Sequence, residues 1–149
     1  MIKPASLRRA LVAAIPSLEA DPDKLAVFID EGSIAATGTR SLSFEYRYTL
    51  HALVMDFAGD ADSVFVALVE WVRTNQPDLV TNLGERDHGI TFEVDILSHA
   101  TADLSIKLRL TESVAVSAGP DGKHVIKHVD DAANDAAHTH TWGMPLWTS

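Results

Sequence analysis

Residues Phe44 to Phe57, FEYRYTLHALVMDF, form the longest stretch that reads as a single β-strand, and any fold of this chain has to be built around it. Alternation places Phe44, Tyr46, Tyr48, Leu50, Ala52 and Val54 on one face and Glu45, Arg47, Thr49 and His51 on the other. Beyond His51 the second face also turns apolar, with Leu53 and Met55, so the strand is expected to begin near solvent and run into a region covered on both sides. No Gly or Pro interrupts it over about twice a typical strand length. Such a strand is expected to overhang its sheet and leave backbone edge free for a neighbour.

The chain has 149 residues, 46% of them hydrophobic, which suits one domain with its own core. The expected division is a single domain over residues 1–130 and a flexible C-terminal tail over 131–149. A net charge of -9 argues against affinity built on phosphate contacts, which need clustered Lys and Arg. Without cysteine there is no disulfide framework and no thiolate metal site, a composition that fits a reducing compartment. The opening MIKPASLRRALVAAIP has basic residues and a short apolar run, but Arg8 and Arg9 interrupt it, so no cleaved signal is expected. No stretch approaches the ~20 apolar residues that span a bilayer.

Pro4 suits a first helical turn, and Leu7, Leu11, Ile15 and Leu18 recur at helical spacing, with Pro16 ending or kinking the helix near Ile15. Leu25 to Asp30 and Ile34 to Thr37 read as a short hairpin around Glu31-Gly32-Ser33. After the long strand, Asp60, Asp62 and Ser63 offer N-caps for a second helix over Ala61 to Thr74. Between Val64 and Val72 only Glu70 is charged, so this helix is apolar on more than one side and needs cover from its own core or from a neighbouring subunit. Asn75 to His88 reads as a surface loop. Ile90 to Ile96 and Leu104 to Leu110 alternate as a hairpin, with Glu93 expected opposite Arg109 and Asp95 opposite Lys107. Ser113 to Ala118 and Lys123 to Val129 form a last hairpin across Gly119-Pro120-Asp121-Gly122.

Chemistry is sparse. His124 and His128 share a strand face but lie ~13 Å apart, too far for one ion. His138 and His140 are closer, ~7 Å, without a third ligand. Glu93 with Asp95 is the best carboxylate pair for acid–base work, and the Glu85 to His88 loop is a second catalytic candidate, though a structural charge ladder and a charged turn explain both. No phosphate-cradling glycine loop, nucleophile elbow or zinc-protease motif is present.

At SLSFEYRYTL (Ser41 to Leu50) the chain resembles the tail completion protein R (GpR) family of contractile-tailed temperate phages. The resemblance extends through MIKPASLRRAL at the start, VFIDEG (Val27 to Gly32), DFAGD (Asp56 to Asp60), FEVDILS (Phe92 to Ser98) and LTE (Leu110 to Glu112). It covers residues 1 to 129 and leaves HTHTWGMPLW in the tail unmatched. It implies a structural virion component at the head-proximal end of the tail, assembled in the host cytoplasm and acting in tail capping, termination and head–tail joining. It implies no catalytic residues, metal or cofactor. Tail terminators, similar in role, form rings that are often hexameric over the last tube ring. The implied partners are further copies of the chain, the tail tube and head-completion proteins, with DNA only as passing cargo and no membrane.

The fold expected is therefore α+β, a mixed, mostly antiparallel sheet with two helices packed on one face, tail-terminator-like. The residues expected to make self-association or partner contacts are Glu45, Arg47 and Thr49 on the long strand, Phe65 and Val69 on the second helix, and Trp142, Met144, Leu146 and Trp147 in the tail. That apolar tail cluster is expected to dock on a neighbouring subunit or the tail tube. Alternatives are a small monomeric adaptor and an enzyme using Glu93 and Asp95 or the Glu85 to His88 loop.

Overall fold

A computed structural model describes residues 1–36, 38, 40–84 and 87–132. Helices α1 (Lys3–Ala14) and α2 (Pro16–Ala20) lead through a 3-10 turn at Pro22–Lys24 into strand β1 (Leu25–Ala36). Strand β2 (Phe44–Phe57), helices α3 (Ala61–Asn75) and α4 (Asp78–Thr81), and strands β3 (Ile90–Ile96), β4 (Ala102–Ala118) and β5 (His124–His128) follow. All strand pairings are antiparallel, in the order β1-β2-β4-β3, with β5 beyond the end of β3 along the same side of β4. The fold is α+β, as expected, with the two short helices added to the two long ones.

The core forms where the helices meet one face of the sheet. Tyr48, Leu50, Ala52 and Val54 of β2 and Leu104, Ile106, Leu108 and Leu110 of β4 bury against Leu7, Leu11, Ile15 and Leu18 from the N-terminal helices and Val64, Leu68, Trp71 and Val72 from α3. The helical spacing and the strand alternation thus select matching faces. Pro16 ends α1 and opens α2. Arg8 donates to the carbonyls of Leu25 and Pro22 and secures the turn into β1. Asp60 caps α3 by accepting from the Asp62 N–H at 3.0 Å.

Several expectations are corrected. Leu25 to Ala36 is not a hairpin: β1 runs through Gly32, which pairs with Tyr48, and absorbs one irregularity between Ile29 and Glu31 as a bulge, while Thr37 of the expected second strand lies outside the described residues. The long β2 offers a partner for the whole segment, so a continuous ladder satisfies more backbone groups than a turn at Gly32 would. Likewise Leu104 to Leu110 and Ser113 to Ala118 belong to one strand, β4. Glu112 occupies an inward position between Leu110 and Val114 and is buried, which keeps the period unbroken although its residue type suggests a break.

In the β3–β4 hairpin Glu93 meets Ser105 and Asp95 meets Asp103, four positions short of Arg109 and Lys107. Because the displacement is even, Phe92, Val94 and Ile96 keep their face. The hydrophobic pattern selects parity, and the turn length selects among the registers of that parity; here Leu97 and Ser98 close on the Thr101 carbonyl at 3.1 and 3.2 Å. Lys107 instead pairs with Asp30 at 3.2 Å.

Asn75 to His88 is not wholly a loop, since α3 reaches Asn75 and α4 buries Leu79. Finally, β2 is central: β1 and β4 pair along both of its sides, so it neither overhangs nor offers a free edge. Nor is its far end covered on both faces, for Leu53 and Met55 remain half-buried. The last hairpin forms as expected, with Gly122 at φ 79 and Gly119 so close to the Lys123 carbonyl that a Cβ would stand 2.9 Å from it.

Candidate functional site

Two features outside the apolar core distinguish the molecule, a buried polar clasp and an open sheet face. The clasp arises from a gap in the sheet. Beside β4, β3 pairing ends with the Arg109 N–H on the Gly89 carbonyl at 2.9 Å, and β5 pairing begins near the Val129 N–H on the Ser113 carbonyl at 2.9 Å. Thr111 lies between them, and its N–H and C=O point into the gap without a strand to receive them. Gln76, the C-cap of α3, fills the position: its Oε1 accepts from the Thr111 N–H at 3.0 Å, and its Nε2 donates to Thr111 Oγ1 and Asp78 Oδ1. Lys3 Nζ donates to the Thr111 carbonyl, to Gln76 Oε1 and to Asp131 Oδ2, each at 2.6 Å.

The next residue of β4 extends this network. Glu112 is 1% exposed, and its two carboxylate oxygens accept from the Ile2 N–H at 2.7 Å and the Tyr48 hydroxyl at 2.6 Å. Burial, then the hydrogen bond to Glu112 and its charge, push the Tyr48 phenol far above its ordinary value of 10.0. Lys3, 2% exposed, has all three of its donors engaged. The clasp joins the chain start, the sheet centre, the end of α3 and the beginning of the C-terminal segment. Lys3, Gln76 and Glu112 were missed by sequence reasoning, although an acid at an inward strand position is the one signal that pointed here.

The sheet face away from the helices has no layer over it among the described residues. Arg47 lies there and pairs with Glu45 at 2.9 Å, with Thr49 alongside. Farther along, Phe28 is 44% exposed, its ring 4.6 Å from that of His51, and His51 Nε2 contacts Ser105 Oγ. Half-buried Leu53 and Met55 continue the surface. A concavity of about 370 Å³ opens where Glu31, Arg47, Thr49 and Arg109 converge.

Phe65 and Val69 lie on the helical side of the sheet, so the structure does not bring them together with Glu45, Arg47 and Thr49. Trp142, Met144, Leu146 and Trp147 lie outside the described residues, as do Glu85 and Arg86 of the charged loop and His138 and His140. Glu93 and Asp95 are exposed on β3 and occupy neither a deep pocket nor the expected charge ladder. His124 and His128 do share a face of β5, and His128 stacks beside Tyr46 with ring centroids 6.3 Å apart. Among the described residues no three His, Asp or Glu side chains gather as a metal site, and no helix is long and apolar enough to cross a membrane.

The family model described as P2 phage tail completion protein R (GpR) matches residues 1–132, the whole of the described fold. The chain belongs to the GpR family. It is 48% identical over 125 residues to Tail completion protein R of Escherichia phage P2, an alignment that covers 84% of this chain and 81% of that protein. No solved structure matches significantly. GpR membership makes the chain a structural component of phage tail assembly. Three of the six segments that carry the resemblance in sequence meet in space at the clasp, where Ile2 and Lys3, Tyr48, and Thr111 and Glu112 are bonded to one another.

Proposed function

We propose that this GpR protein completes the phage tail at its head-proximal end, capping the tail tube and preparing it to join the head, as a ring of copies held by surface burial without covalent chemistry. The observation that carries this reading is the open sheet face. A two-layer domain buries only one side of its sheet, and here the other side combines exposed Phe28 and half-buried Leu53 and Met55 with the polar strip of Glu45, Arg47 and Thr49. That combination of apolar and polar surface, laid end to end along the sheet, suits a protein contact. A second, different patch is needed for a head-to-tail ring, and the outer edge of β1, which ends the strand order and has no partner strand among the described residues, supplies backbone groups for it. The net charge of -9 suits an assembly through which DNA passes as cargo without adhering.

Complementation of a phage deleted for the gene tests the role. Loss of head joining on tails of normal length marks docking, and overlong tails mark termination. Light scattering over a concentration series, with and without tail tubes, tests the ring. A chain that remains monomeric under both conditions sinks the ring and leaves the adaptor reading.

A further inference from the structure

The helices do not cover the whole of the face on which they lie. Phe92, Val94 and Ile96 of β3 point to the helical side, yet Phe92 is 58% and Ile96 76% exposed. Helix α3 reaches β3 through Phe65, whose ring centroid is 4.9 Å from that of Phe92. Val69, one turn farther along the same flank of α3, is also exposed. An apolar trough thus runs between the flank of α3 and the edge strand β3.

Among the described residues the backbone of that edge is open as well. The Arg109 N–H to Gly89 carbonyl bond places the odd-numbered residues of β3 in the pairs that bond to β4. The N–H and C=O groups of Phe92, Val94 and Ile96 therefore point outward, next to their own side chains' trough, and β3 ends the strand order.

We propose that the C-terminal segment Trp142 to Trp147 of the same molecule seats in this trough as an added strand beside β3. Three observations select this occupant. First, the origin of the segment is anchored, because Asp131 is bonded to buried Lys3 beside Gln76, the residue that closes α3. Phe65 lies eleven positions back along the helix, about 16 Å away at 1.5 Å per residue. A link of ten residues from Ala132 to Trp142 has a random-chain span of about 17 Å and a limit of about 33 Å. Span and separation match, which is the condition for the highest effective concentration of a tethered partner.

Second, Trp142, Met144 and Leu146 alternate, so in an extended segment they share the face that meets Phe92, Val94 and Ile96. Their backbone groups then point to β3, while those of Pro145, which lacks an N–H, point away. Third, residues 142 to 147 carry no charge, so the segment brings no acid against Glu93 and Asp95.

The proposal goes beyond the ring reading and holds whether or not copies associate. It is tested on the full chain by NMR at low concentration. The indole N–H signal of Trp142, which shares a face with Met144 and Leu146, is expected away from its random-coil position, with contacts to the methyls of Val94 and Val69. Amide exchange at Phe92, Val94 and Ile96 is expected to be at least about tenfold slower than in the W142A/W147A variant. Ile96→Asp, at an exposed position, is expected to abolish those contacts, while the Trp71 indole, bonded to Ser6, keeps its signal and reports an intact fold. A random-coil signal from Trp142 in the wild type overturns the proposal. Contacts that appear only as concentration rises overturn it in favour of a neighbouring copy, and contacts seen only with tail tubes overturn it in favour of the tube.

Discussion

Lys3 is an unusual residue to bury, and its cost is offset only because all three donors reach acceptors at 2.6 Å. Lys3→Met fills a similar volume but leaves the Thr111 carbonyl without its donor and removes the pairing of partly exposed Asp131. We expect a loss of about 2–3 kcal/mol in chemical denaturation, and an unchanged midpoint would show that the clasp contributes nothing. Tyr48 has a different signature. Its folded pKa is raised, so its stabilising contribution is complete below pH 10, where the phenol is neutral in both states. It is lost as pH rises further, because only the unfolded chain ionises readily. The wild type should therefore lose up to ~1.4 kcal/mol per pH unit above pH 10 relative to Tyr48→Phe, although that variant starts less stable for want of the hydroxyl. Parallel slopes for the two proteins would refute the assignment.

At the scale of elements, β2 and β4 organise the domain, because the core face of both strands is continuous while one side of β4 changes partner from β3 to β5 along its length. The sheet tolerates the gap at Thr111 since side chains from α1 and the end of α3 replace a strand there. The β3–β4 register is the most exposed of the pairings to direct measurement. In the observed register Phe92 faces Ile106 and Val94 faces Leu104 in closely spaced, non-hydrogen-bonded pairs, whose Cα atoms stand about 4.5 Å apart. Strong Hα–Hα contacts between these residues are expected by NMR, and contacts from Phe92 to Leu110 instead would restore the charge-paired register.

For the whole molecule, the two-layer architecture leaves one sheet face uncovered among the described residues, and this is the face proposed for assembly. Arg47 stands on that face, exposed and, among the described residues, paired with Glu45 two positions away. Arg47→Glu should cost the isolated subunit less than ~1 kcal/mol, since surface ion pairs contribute little. It should still weaken self-association, because a reversed charge at an interface meets a partner surface arranged for the original sign. Light scattering of both proteins over the same concentration range measures this. Equal association would remove the Arg47 side of the face from the contact.

By itself, the sequence determined the lengths and faces of β2, α1 and α3, the last hairpin, and the α+β class, because period, caps and turn glycines are local signals that the tertiary fold had no reason to override. Its motifs also placed the chain in the GpR family. Only the tertiary structure decided which strand lies beside which: β2 became central, β1 continuous, and the β3–β4 register moved by an even step that the hydrophobic pattern cannot distinguish. The clasp was hidden for the same reason. Lys3, Tyr48, Gln76, Thr111, Glu112 and Asp131 are far apart along the chain, and Lys and Glu read as surface residues until folding brings enough donors and acceptors together to hold them inside.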